Sequence, residues 1–263
     1  MGHEIVALVA IRAPEGRYGA GYPFALHGAA PNADLLFVHS GERLGALLRA
    51  YAPDVALCGS FPARIPDDAL DAPRYGILNA HPGLLPRYRG PNPMGRALRH
   101  GDEEIGITLH RMTSELDAGP VYAQGTVHVD VHVDLASEGE EKFGRLAGEL
   151  VAKAFARIQA GDPGDPQDES EASYAGVFEP EYLEVDWKSP AREIHNQTRA
   201  WKVAPPVNGV RGPLTELEGR RVRLVLTHLN GDQGGLRVMA GDGPLWVLEA
   251  EPVSADAQAV SAG

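Results

Sequence analysis

The sequence holds a single cysteine, Cys58, in 263 residues. One cysteine excludes an intrachain disulfide and any metal cluster built on thiolates. Long apolar runs are missing as well. The longest, Ile5 to Ile11, falls far short of the ~20 residues a membrane span needs. No basic segment leads into an apolar one as a secretory signal requires, and Val6 breaks the myristoylation pattern after Gly2. The expected location is therefore the cytoplasm. Positive charge is scarce: 24 Lys and Arg stand against 36 Asp and Glu, a net −12. A large nucleic-acid interface usually takes a basic face. The deficit counts against such a partner without excluding a local patch.

What is present is ordinary globular protein. Hydrophobic residues at 43% and charged residues at 23% exclude disorder, and the length suits one or two domains at ~150 residues each. Glu4 to Ile11 is a near-continuous apolar run with β-branched residues, the pattern of a buried parallel strand. Arg12 to Asn32 reads as a long loop, and Leu35 to Val38 as a second strand. A helix is expected over Gly41–Tyr51 with Ser40 as its cap and Leu44, Leu47 and Leu48 on its apolar face. Strands follow at Asp54–Cys58 and Gly76–Asn79, then a helix from Pro93 to Arg99 stopped by Gly101. Further strands are expected over Gly106–Met112 and Val121–Val133, and a long helix over Ser137–Gln159. Residues 160–166 are rich in Gly, Pro and Asp and read as a surface crossing. Beyond it the pattern gives a helix capped by Ser189 and reaching Trp201. Short strands at Arg221–Thr227, Leu236–Ala240 and Leu245–Leu248 then end in a loose tail after Glu251.

The densest cluster of chemically specific residues is the segment Asn79 to Gly90, which begins where a strand ends. Ligands of open α/β sheets sit outside the carboxyl ends of strands. If the chain stays extended, Asn79 and His81 leave on one face, their α-carbons ~6–7 Å apart, and Pro82 favours that extension. An amide donor and an imidazole aimed together suit a developing oxyanion and a proton transfer. The same two side chains could equally satisfy loop backbone groups. Asp117 sits in Leu116-Asp117-Ala118-Gly119-Pro120, where an aspartate commonly does no more than cap a turn.

Taken together, Asn79-x-His81-Pro82-x-Leu84-Leu85-Pro86-x-Tyr88-Arg89-Gly90, Gly106-Ile107-Thr108 and Leu116-Asp117-Ala118-Gly119-Pro120 resemble the 10-formyltetrahydrofolate-dependent formyltransferase family. That family includes methionyl-tRNA, amino-sugar and glycinamide ribonucleotide formyltransferases and a formyltetrahydrofolate hydrolase domain. The resemblance runs over residues 3–225. Tyr174, Val185-Asp186-Trp187 and the stretch from Glu193 to Trp201 resemble the tRNA and sugar branch. It implies an α/β fold, a Rossmann-like mostly parallel sheet followed by a small β-rich, OB-like domain. The implied boundaries are a catalytic domain over 1–160, a linker over 161–188 and a C-terminal domain over 189–263.

Carried over residue by residue, the family's catalytic trio falls on Asn79, His81 and Asp117. The amine acceptor attacks the formyl carbon carried on N10 of the folate. Asn79 and His81 donate to the oxyanion, and Asp117 orients the imidazole and favours its charged form. The co-substrate implied is 10-formyltetrahydrofolate, with no metal. Its pterin would lie near Phe61, Arg64, Ile65 and Leu116, although Phe61 and Ile65 read equally well as core. Arg87, Tyr88 and Arg89 would meet the substrate, and Arg96 and Arg99 extend that basic group. A solvated surface accounts for those arginines almost as well.

The expected acceptor is a small primary amine such as an amino sugar or amino acid derivative, because Arg12–Asn32 has no lysine. Methionyl-tRNA is the alternative acceptor; water, giving a hydrolase, and an inactive folate-binding protein are further readings. A homodimer is allowed, and a membrane partner is not expected. Family members carry a strand, a Gly-containing turn and a helix ahead of the strand matched by Glu4–Ile11. Either the start is truncated or Glu4–Ile11 takes the central place in the sheet with Arg12–Asn32 as crossover. Two decoys are set aside. His128 and His132 on one strand lie ~13 Å apart, too far to share a zinc ion, and Cys58 reads as a small core residue.

Overall fold

A computed structural model describes residues 2–11, 28, 30–59, 61, 64–129 and 140–253. Most of the expected loop Arg12–Asn32, the strand beyond residue 129 with Asp130, His132 and Asp134, the first turn expected at Ser137, and the tail after residue 253 lie outside the described residues. The chain divides into two compact units. One comprises Met1–His81, Leu109–Ala123 and Lys153–Pro166; the other Pro82–Thr108, Gln124–Ala152 and Gln167–Gly263.

In the first unit, β1 (Ala7–Ile11) and β2 (Asp34–Val38) pair in parallel, Ala7 opposite Asp34 and Ile11 opposite Val38. They form a two-stranded sheet of their own. The expected helix begins as a 3-10 turn, Gly41–Arg43, and continues as α1 (Leu44–Tyr51). Ser40 is extended and makes no side-chain cap, so the expected cap is corrected: the tight 3-10 entry takes its place. β3 (Ala56–Cys58) pairs in parallel with β4 (Ile77–His81), and between them lies a single turn of helix, α2 (Asp67–Leu70). Leu44 and Leu48 of α1 bury against Ile65, Ala69, Leu70 and Ile77, with Val9, Ala56 and Cys58 packed on that cluster. β1 and β3 thus flank one core, yet among the described residues no ladder joins them.

β5 (Glu104–Arg111) and β6 (Val121–His128) complete a four-stranded sheet in the order β3-β4-β5-β6. Arg111 N–H donates to Pro120 O, and Val129 N–H donates to Glu103 O at the other end, the signature of an antiparallel hairpin. α3 (Pro93–His100) opens on proline and ends at Gly101, whose left-handed φ of 79° is the usual helix stop. α4 spans Glu140–Gln159. The Gly- and Asp-rich crossing after it is clamped from one side chain: Arg157 reaches Asp162, Asp165 and the Tyr122 carbonyl.

In the second unit α3 packs on α5 (Ala191–Val203). Leu98 and Ile105 join Phe178, Trp201 and Leu214 in its core. Trp201 stands edge-on to Phe178, ring centroids 5.0 Å apart, and its indole N–H donates to Tyr182 O at 3.0 Å. Ser189 does not cap α5. The Ala191 N–H is taken at 2.7 Å by Asp242, a residue fifty-one positions later, so the N-terminus of α5 is capped from the far hairpin. β7 (Leu214–Leu217), β8 (Arg220–His228), β9 (Leu236–Met239) and β10 (Pro244–Pro252) form an antiparallel sheet in the order β7-β8-β10-β9. The α/β sheet with parallel strands and the β-rich C-terminal part are the expected fold. No described helix is long and apolar enough to cross a membrane.

Candidate active site

β4 carries the chain outward to His81, so Asn79 and His81 leave the strand two residues apart, as the alternation of a strand dictates. The hairpin between β5 and β6 brings Asp117 to them. Asp117 adopts φ 52°, a left-handed conformation that aspartate tolerates better than most residues. Two residues on, a side chain at Gly119 would place Cβ 1.9 Å from Arg111 O. Only glycine allows the turn to close that tightly, and the closure sets where Asp117 points.

The Asp117 carboxylate faces three groups. Oδ2 lies 3.6 Å from His81 Nδ1, and Oδ1 lies 3.5 Å from both Asn79 Nδ2 and His110 Nε2. His81 is 3% exposed and His110 1%. His81 Nδ1 and Asn79 Nδ2 are placed to donate to this buried carboxylate, which burial without donors would penalise. Nδ1 is the nitrogen of His81 that faces Asp117.

His110 is the site residue that sequence reasoning missed. Its Nε2 sits 3.2 Å from Asn79 Nδ2 and its Nδ1 3.1 Å from Arg111 O. The available signal was a histidine near the end of β5, directly after the apolar Ile105, Ile107 and Leu109. Cys58, opposite Asn79 in the ladder, has its thiol pushed up to about 11 by burial, with the Asp117 charge adding and a Phe61 backbone hydrogen bond opposing.

The loop after His81 is held by Thr108, fully buried in β5. Its hydroxyl donates to Gly83 O at 2.6 Å and accepts from Leu85 N–H at 3.2 Å. Gln124 Nε2 donates to Leu85 O and to that same hydroxyl, each at 2.8 Å. Thr108 of the Gly106-Ile107-Thr108 motif therefore supports this loop by hydrogen bonds.

The other expected site residues fall as follows. Ile65 is in the core and Phe61 packs on it, while Arg64 is exposed beside Asp67 and Leu116 is 61% exposed. Tyr88 is buried; its hydroxyl donates to Asp102 at 2.8 Å, and burial followed by Asp102 pushes its phenol up to about 12. Arg87 also reaches Asp102. Arg89 is held by Gln167 and Glu169, and Arg96 and Arg99 both grip Glu179. The basic group visible in the sequence is thus matched arginine by arginine with carboxylates. Among the described residues no group of three or more His, Cys, Asp or Glu side chains is arranged to hold a metal ion.

The formyl transferase family profile matches residues 38–154, which include all four residues of this cluster. Over 238 residues the chain is 33% identical to the methionyl-tRNA formyltransferase of Ruegeria pomeroyi, covering 89% of this chain and 76% of that protein. The chain belongs to the formyl transferase family. A second relative in the family, the methionyl-tRNA formyltransferase of Thermotoga maritima, is 33% identical over 190 residues; the match spans 72% of this chain and 59% of that one. Among solved structures, HypX from Aquifex aeolicus in complex with tetrahydrofolic acid aligns with a TM-score of 0.72 at 19% identity, over 96% of this chain and 45% of that chain. WlaRD, a sugar 3N-formyl transferase, aligns at 0.57 with 17% identity, over 94% and 88%. At these identities the two structures establish the shared fold of the formyl transferases.

Proposed function

We propose that this formyl transferase moves the formyl group of 10-formyltetrahydrofolate to a small primary amine. The observation that carries the chemistry is the convergence of Asn79, His81 and Asp117 on one buried point. The amine nitrogen attacks the formyl carbon, and the carbonyl oxygen becomes the oxyanion of a tetrahedral intermediate. Asn79 and Nε2 of His81 donate to that oxygen. The bond to N10 then breaks as His81 gives its Nε2 proton to N10 and regains the proton the amine loses, or a water carries that proton from amine to N10, and tetrahydrofolate leaves. Asp117 orients the imidazole through Nδ1. Phe61, Arg64, Ile65 and Leu116 are the proposed folate contacts and Arg87, Tyr88 and Arg89 the proposed acceptor contacts. Of the last three, Arg87, 52% exposed, offers the most open cation.

The small acceptor rests on charge. A tRNA is held through phosphates by cations free to meet them. Arg87, Arg89, Arg96 and Arg99 are each engaged with a carboxylate in a protein of net charge −12. The names of the two relatives support the second reading, methionyl-tRNA as acceptor. The test offers charged initiator methionyl-tRNA beside amino sugars and amino acid amines, with 10-formyltetrahydrofolate in each case. Formylation of a free amine is expected. Efficient formylation of the tRNA alone overturns the small-amine reading, and no transfer to any acceptor, water included, overturns formyl transfer itself.

A further inference from the structure

The geometry points to His110 as a positioning residue that makes Asn79 a donor, and not an acceptor, toward the reacting carbonyl. Nδ1 of His110 lies 3.1 Å from the Arg111 carbonyl oxygen. A carbonyl only accepts, so Nδ1 carries the hydrogen. With its single hydrogen there, the ring presents a bare Nε2, which lies 3.2 Å from Asn79 Nδ2 and 3.5 Å from Asp117 Oδ1. The Asn79 amide has two ways to sit. With its NH2 edge toward His110, one N–H meets the Nε2 lone pair and the same edge faces Asp117 Oδ1 at 3.5 Å. Turned over, its carbonyl oxygen would meet a lone pair and a carboxylate at once. Both neighbours therefore select one orientation, and the Arg111 carbonyl, by fixing the imidazole tautomer, is what makes His110 an acceptor.

This matters for chemistry because an amide in the wrong orientation would set its oxygen against a developing negative charge. The contact from Asn79 to Asp117 is long for a hydrogen bond. The second amide N–H, held only by that long contact to Asp117, turns to the oxyanion as it forms, while His110, at 1% exposure, holds the first. The inference rests on the formyl-transfer reading for its kinetic consequence but not for its structural content.

Two variants and one spectrum test it. His110→Leu removes the acceptor and is expected to lower kcat by the ~10²–10³-fold typical of one lost oxyanion donor, with folate affinity by titration calorimetry and the KM for folate unchanged. His110→Gln offers a carbonyl oxygen in place of Nε2 and is expected to restore most of that loss. Nitrogen-15 spectra of the wild-type histidine rings, with His110 assigned by its disappearance in the Gln variant, are expected to show hydrogen on Nδ1 and none on Nε2. Wild-type kcat in the Leu variant, equal damage in both variants, or a hydrogen resident on Nε2 at neutral pH overturns the assignment. Should the wild-type protein transfer no formyl group at all, the proposed function fails while the ring spectrum still decides the tautomer.

Discussion

At the residue scale the site separates groups that act from groups that hold them. His81 faces Asp117 through Nδ1. His81→Ala is expected to cost ~10²–10⁴-fold in turnover, the usual worth of positioned general acid–base catalysis. Asp117→Asn should also cut kcat while leaving folate affinity largely intact, because the amide keeps the shape and loses the charge that fixes the imidazole. Single-turnover rates beside equilibrium folate titrations separate the two effects. Cys58 makes a complementary case of reactivity suppressed by place. With its thiol held near about 11, the thiolate fraction at pH 8 falls by roughly a hundredfold relative to a free cysteine. Iodoacetamide should therefore leave the folded protein unmodified under conditions that alkylate it in denaturant, as intact mass would show.

At the element scale, the tight hairpin between β5 and β6 sets the site. Gly119→Ala would drive Cβ into the Arg111 carbonyl. The backbone must shift, at a cost of ~1–3 kcal/mol for overpacking, and Asp117 shifts with it. A lowered melting temperature together with reduced kcat is expected, and a variant with wild-type rate would show that the turn has slack. Most elements were legible in the sequence because apolar runs and punctuating residues coincide: Glu4 to Ile11 ends in β1, and Pro93 and Gly101 bracket α3. Asn79, His81 and Asp117 were legible only as a pattern, since no local rule brings residue 117 to residue 81. What stayed hidden depends on distant chain. β7 is four residues long and exists through its pairing with β8. The N-terminus of α5 looked capped by Ser189 but takes Asp242 instead. His110 is ordinary in a strand until the Arg111 carbonyl, Asn79 and Asp117 surround it.

At the scale of the whole molecule, acidic excess and acid stability meet at Glu179. Burial works to raise its carboxyl, but its own backbone amide and the Arg99 and Arg96 guanidiniums outweigh that and bring it to about 2. A carboxylate depressed in the folded state contributes fully above its unfolded value of ~4.3 and loses that contribution as pH falls toward the folded one. Between about pH 4 and 2, then, the second unit should weaken as Glu179 protonates. Glu179→Gln should lower stability at pH 7 and flatten the acid limb of a denaturation series. An unchanged limb would assign acid unfolding to other carboxylates.

The three indoles of the chain, Trp187, Trp201 and Trp246, all fall within the second unit. Trp187 donates to Thr215 and Trp201 to the Tyr182 carbonyl, and a Cβ at Gly231 would meet the Trp246 ring. Fluorescence excited at the red edge of protein absorption therefore watches one half of the molecule and is blind to the half that holds Asn79, His81, His110 and Asp117. Far-ultraviolet circular dichroism sees both. Because β1 shares a core with β3 through Val9 while, among the described residues, no ladder joins the β1-β2 pair to β3, the first unit should melt earlier, so that the dichroism signal begins to fall before the emission maximum moves red. A folate bound at the contacts proposed in the first unit would then close the gap between the two curves from below, leaving the emission midpoint where it was.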